Sequence, residues 1–294
     1  MIEGDENGRR KIQLRAWLAK RLAPDANDWL DAACRKTASG GSDDVVLAIA
    51  LAPRKLGKGL LALDATEGAE GTALRAGLDT SAWTIDQAAR ILLMLEAYRR
   101  DDAAFAVLFD AAVRGGDLNE QIALLQGLPL YPAPGRLVPR AIEGLRTAML
   151  PVFEAVAHRS PYPAEQFSEQ QWNQMVLKAL FIESRLAPIV GLDDRRNSDL
   201  AATLVDYAHE RWAAGRDVSP ELWRCVGPFA RERDLPDLAK ALASARPAEA
   251  RAAALALAEC PLPAAAHVLQ SAPPLAELVR SNSITWNALL STDP

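Results

Sequence analysis

The sequence is poor in aromatic residues, at 6%, and has only three cysteines in 294 residues, at positions 34, 225 and 260. Three thiols so far apart offer neither a disulfide framework nor the spacing of a zinc site, and they suit a reducing compartment. Lys and Arg (33) do not exceed Asp and Glu (38), and the formal net charge of -5 gives no general attraction for nucleic acid or an anionic membrane surface. No apolar run approaches the ~18 residues of a transmembrane span. The acidic opening MIEGDENGRRK also lacks the basic-then-apolar pattern of a secretory signal. A soluble, cytoplasmic protein is therefore expected. Nucleotide and hydrolase motifs are missing too: Gly57-Lys58-Gly59 lacks Walker spacing, and GxSxG, HExxH and paired CxxC do not occur.

Half the residues are hydrophobic, and Ala and Leu supply most of that half, which favours helices; no segment alternates like a strand. The expected class is all-α: an array of about twelve helices in antiparallel pairs, compatible with a curved, solenoid-like stack. Residues 1–230 are expected to form the main helical domain. Residues 231–294, where short Ala-rich helices start near Pro236, Pro247, Pro263 and Pro274, are expected to pack on it as an extension.

Several boundaries follow from local chemistry. Ser42, with Asp43 and Asp44, is expected to cap VVLAIALA, and Pro53 to end it. Residues 54–80, rich in Gly, Lys and Arg, read mostly as loop. A Thr84-x-x-Gln87 box opens a helix whose run Ile91 to Leu95 is apolar nearly all round and belongs at the centre of a bundle. PLYPAPGRLVP reads as a stiff connector ending with Pro139 in the first turn of the next helix, which Pro151 kinks or splits. SPYPAEQF reads as a second proline-bracketed loop.

The stretch 153–229 concentrates aromatic and polar residues. Ser168 and Gln171 form a capping box for a helix ending near Phe181, with Asn173 inside its apolar arc and Lys178 in its narrow polar wedge. A buried amide needs partners, so Asn173 either pins a neighbouring loop such as SPYP or touches a ligand. On the helix 197–214, Arg211 points into the core arc beside Trp212 and calls for an acidic or phosphate partner. Asp206, His209 and Glu210 share another face, and Glu154 with His158 gives a second acid-histidine pair. Two such faces would chelate a metal only if they met; no metal is expected, and a solvated helix face is favoured. Trp223 reads as core, and Arg224 pairs with Glu221 at i, i+3.

The motifs SPYPAEQF, WNQMVLKALF, GLDDRRN, DYAHERWAAGR and ELWRCVGPF resemble the EboA family of bacterial metabolite-traffic proteins, most closely from Trp83 to Phe229. The chain departs from the family pattern at Ser160, where Asn is expected. The resemblance implies a cytoplasmic protein encoded with a membrane prenyltransferase-like protein and enzyme-like partners, supporting traffic of secondary-metabolite precursors towards the periplasm. It brings no catalytic residues and no cofactor. His158, Tyr162, Glu165, Asn173, Lys178, Asp206, His209, Glu210, Arg211, Trp212 and Arg224 mark the expected ligand or partner surface. The leading reading is a non-catalytic adaptor or small-molecule carrier. The alternatives are a metal-assisted enzyme using the acid/His face and a structural subunit of a membrane-associated complex.

Overall fold

The computed structural model describes residues 3–290, which form eighteen α-helices and three short 3-10 turns. Among the described residues there is no strand, only one antiparallel bridge between Leu60 and Thr84. The class is all-α. No helix among the described residues is long and apolar enough to cross a membrane. The chain divides after Phe167 into two compact units.

The first unit holds α1 (Glu3–Ala19), α2 (Pro24–Ser39), α3 (Ser42–Leu56), α4 (Ala65–Leu74), α5 (Ile85–Glu96), α6 (Asp102–Gly115), α7 (Leu118–Gln126), α8 (Pro134–Arg146), α9 (Leu150–Ala157) and α10 (Tyr162–Gln166). Helix α5 is its centre, as its all-round apolar run predicts. Residues Ile91 to Leu95 are all buried, and α5 packs on α1, α2, α3 and α7. Each large apolar side chain so buried contributes about 1.5–3 kcal/mol. The helix starts where Gln87 accepts from the Thr84 amide at 2.9 Å, while the Thr84 hydroxyl donates to Asp86 at 2.6 Å. Arg90, only 2% exposed, is tolerated in this core because it donates to Asp86 at 3.2 Å and to the Ile49 carbonyl at 3.1 Å.

Several local expectations are corrected. The 54–80 segment contains α4, because Asp64 and Glu67 form a reciprocal capping box that the glycine content obscures. Glu67 is 2% exposed and paired with Arg21 at 2.5 Å and Lys20 at 2.9 Å, which fastens α4 to α1. Gly41, not Ser42, is the cap of α3, and its amide donates to Asp44 at 3.1 Å. Pro53 lies in the last turn of α3 rather than ending it. Pro134 opens α8, so Pro139 sits inside that helix, and the connector before it is a 3-10 turn over Leu128–Leu130. Pro151 does mark a split, with α8 ending at Arg146 and α9 beginning at Leu150. SPYPAEQF contains the helix α10. The helix count exceeds twelve in part because α4 and α10 form in stretches read as loop.

The second unit holds α11 (Glu169–Phe181), α12 (Ser198–Ala213), α13 (Leu222–Val226), α14 (Leu235–Leu242), α15 (Pro247–Glu259), α16 (Pro263–Gln270), α17 (Pro273–Arg280) and α18 (Trp286–Leu290). The prolines at 236, 247, 263 and 274 all fall in the first turns of their helices, where a missing N–H costs nothing. Helix α15 packs on α13, α14, α16, α17 and α18, so residues after 230 are integral to this unit. Its small Ala side chains permit close approach. A Cβ on Gly227 would lie 2.6 Å from the Ala256 carbonyl oxygen and 2.7 Å from its Cα.

Candidate functional site

Helix α11 runs to Phe181, and Glu183 then takes a left-handed conformation (φ 60) that turns the chain through Ser184, Arg185 and Leu186. Helix α12 ends in a similar way, with Gly215 at φ 65 in the position that favours glycine. The backbone then runs through Asp217, Val218, Ser219 and Pro220 into Glu221. Between these two turns lies a cleft of about 440 Å³. Leu180, Val218, Pro220 and Leu289 supply its apolar wall, and Tyr207, Arg185, Arg211, Arg246, Asp217 and Glu221 its polar groups.

The charges of the cleft are largely paired within the protein. Glu221, 6% exposed, accepts from the Leu186 amide and from the Ala187 amide at 3.4 Å, and Arg185 Nε lies 3.8 Å away. Burial pushes the Glu221 carboxyl above the usual carboxylate range, against the opposing pull of the two amides. Arg211 Nε donates to the Asp217 carbonyl at 2.8 Å. Arg246 donates to the Val218 carbonyl at 3.0 Å and stands 3.5 Å from Asp217 and 3.6 Å from Glu249. The Tyr207 hydroxyl donates to the Leu180 carbonyl at 3.3 Å. Such a site suits a small amphipathic molecule better than a multivalent anion.

Of the residues singled out in the sequence, only Arg211 lines this cleft. Its partner is a carbonyl rather than the acid or phosphate expected, because the guanidinium is half-buried at the helix end and not enclosed. Asn173 does pin a neighbour, but that neighbour is Asn197, the cap of α12. Lys178 is half-buried, and burial lowers its ammonium below the ordinary lysine range. Asp206, His209 and Glu210 are exposed, and His209 Nε2 lies 2.8 Å from Asp237. The Trp212 ring is covered by Trp223, His209 and the Lys240 ammonium, the last 3.7 Å from its centroid. Arg224 grips Asp193 with two bonds, at 2.8 and 2.6 Å, rather than Glu221, which faces Leu186. Trp223 is core, as expected.

The remaining three belong to the first unit. His158 lies 3.9 Å from Glu154. Tyr162 is buried and donates to the Pro134 carbonyl at 2.7 Å, and Glu165 pairs with Arg75. The Ser160 hydroxyl accepts from the Tyr162 amide at 3.3 Å, a short-range bond of the kind an Asn also makes. Among the described residues, no group of three or more His, Cys, Asp or Glu side chains is placed to hold a metal ion, and the faces of Glu154 and His158 and of Asp206, His209 and Glu210 make no such group. Sequence reasoning missed Tyr207 and Arg246 and named Glu221 only as the partner of Arg224.

The family model described as metabolite traffic protein EboA matches residues 11–227 of the 294. The chain belongs to the EboA family. The match begins well upstream of Trp83, so the N-terminal helices carry family character that their composition does not display. Comparison with curated proteins gave no match, and neither did comparison with solved structures. In this EboA-family chain most of the cleft lies within the matched residues. Arg246 and Leu289 are contributed from beyond them.

Proposed function

We propose that this EboA-family chain is a non-catalytic helical carrier. It takes up a small organic molecule, a secondary-metabolite precursor, in the cleft between Glu183 and Glu221 and passes it on towards the periplasm. The receiving partners are other proteins of its gene cluster, including a membrane prenyltransferase-like protein. One observation carries the reading: an apolar-walled cleft of about 440 Å³ whose charged groups, the exposed Glu183 apart, already have protein partners. Small-molecule sites fall in the range of ~300–1,000 Å³ and combine apolar walls with a few placed polar groups. The exposure of Asp206, His209 and Glu210, away from the cleft, weighs for a carrier and against a metal-assisted enzyme built on that face. The reading calls for no cofactor.

Native mass spectrometry of the protein purified from the bacterium that makes it tests this. The expected result is a stoichiometric organic molecule on the natural chain that is lost in Ser219→Trp, a change at a half-buried position that fills the cleft while circular dichroism stays unchanged. A bare natural protein, or a molecule retained by Ser219→Trp, overturns it.

A further inference from the structure

The first unit contains a second and larger cleft, of about 780 Å³. Helix α1 forms one side with Asn7, Arg10 and Lys11; the segment Pro129 to Pro134 forms the other, and Arg75, Tyr98 and Arg100 close the ends. Four cationic side chains thus line a space to which only one carboxylate, Glu6, is added.

Three of the cations are held in place. Arg10 donates to the Leu130 carbonyl at 3.0 Å and to Glu6 at 2.9 Å, and Lys11 to Glu96 at 2.9 Å. Arg75 donates to the Pro129 carbonyl at 3.1 Å and pairs with Glu165. Arg100 is different. It is exposed, its backbone is left-handed at φ 62, and among the described residues its guanidinium has no partner. A non-glycine residue held in that conformation is strained, and such strain is frequent at binding sites.

One polar group lining the same cleft is buried and unsatisfied: Asn7 is 8% exposed and its Oδ1 has no hydrogen-bond partner. A buried hydrogen bond left unmade is costly, and a ligand can complete it. The amide oxygen asks for a donor. The Tyr131 hydroxyl, also buried and without a partner, packs against Gly127, which does not line the cleft. The prolines at 129, 132 and 134 and the Tyr98 ring give the cleft rigid apolar surface.

We propose that this cleft is a binding site for a small hydroxylated organic phosphate, whose anion pairs with Arg100 and whose hydroxyl donates to Asn7 Oδ1. It is separate from the cleft assigned to the carried molecule. Inorganic phosphate supplies the anion alone, and glycerol 3-phosphate supplies anion and hydroxyl together.

The test is titration of the full chain with each probe, followed by side-chain NMR signals of Arg100 and Asn7. Saturable shifts are expected with both, with glycerol 3-phosphate the tighter. Arg100→Gly, which suits the left-handed backbone and leaves the fold intact, is expected to weaken binding by about tenfold or more, as loss of a hydrogen-bonded charge predicts. Ser219→Trp is expected to leave both titrations unchanged, so this site and the carrier cleft fail independently. Absence of saturable shifts, or binding that Arg100→Gly does not weaken, overturns the proposal.

Discussion

Asn173 and Asn197 exchange a pair of hydrogen bonds through their side-chain amides, at 3.1 and 2.8 Å. The same Oδ1 of Asn197 accepts from the Leu200 amide at 2.8 Å as the cap of α12. One amide therefore fixes both the start of α12 and its attachment to α11. Asn197→Ala is expected to lose about 1–2 kcal/mol in urea unfolding, and Asn173→Ala about 1 kcal/mol, because only the first also removes a cap. Equal losses would show that the cap contributes nothing here.

Hydrogen bonds from Arg21 and then Lys20 hold the Glu67 carboxyl down at about 2, from an ordinary 4.5. A carboxyl depressed in the folded state adds stability above its unfolded value and loses it as pH falls towards its folded value. Stability of the natural chain is expected to decline between pH 4.5 and about 2 partly through this group. Glu67→Gln should be less stable at pH 7 and show a shallower decline across that window in pH-dependent unfolding. A parallel pair of curves would remove Glu67 from the acid response.

Gly227 lies against the backbone of Ala256 too closely for any side chain, with the nearest atom 2.6 Å from where a Cβ would stand. The obstacle is main chain, which cannot rotate away. Gly227→Ala is expected to cost roughly 1–3 kcal/mol in thermal unfolding, as overpacking does, although alanine is the better helix former. A neutral result would mean that α15 shifts freely.

Glu259 accepts from Arg196 at 2.7 Å and from the Trp286 indole at 2.6 Å. It ties the loop before α12 to the last helix. Because Glu259 is partly exposed, Glu259→Ala is expected to lower global stability by only about 1 kcal/mol or less. Amide hydrogen exchange over residues 286–289 should nevertheless quicken, since Trp286 loses its polar anchor. Unchanged exchange there would show that apolar contacts alone hold α18.

Local chemistry in the chain was legible wherever one segment carried its own instructions. The Ser168-x-x-Gln171 box, the proline-led helices after 235 and the all-round apolar run of α5 are read from neighbours a few residues apart, and each forms as read. The Asp64-x-x-Glu67 box opens α4 inside a glycine-rich stretch whose composition reads as loop, because its two reciprocal hydrogen bonds outweigh the glycine content. The all-α class and the motifs shared with the EboA family were likewise determined by sequence. Helical periodicity puts Asp206, His209 and Glu210 on one face, but it does not say whether that face meets protein or water. Packing of α12 leaves them outside, and brings Arg185, Tyr207, Glu221 and Arg246 around one space instead. Those four are separated by up to ~60 residues, and no local rule links them, because hydrophobic burial selects which faces meet only once the whole unit has packed.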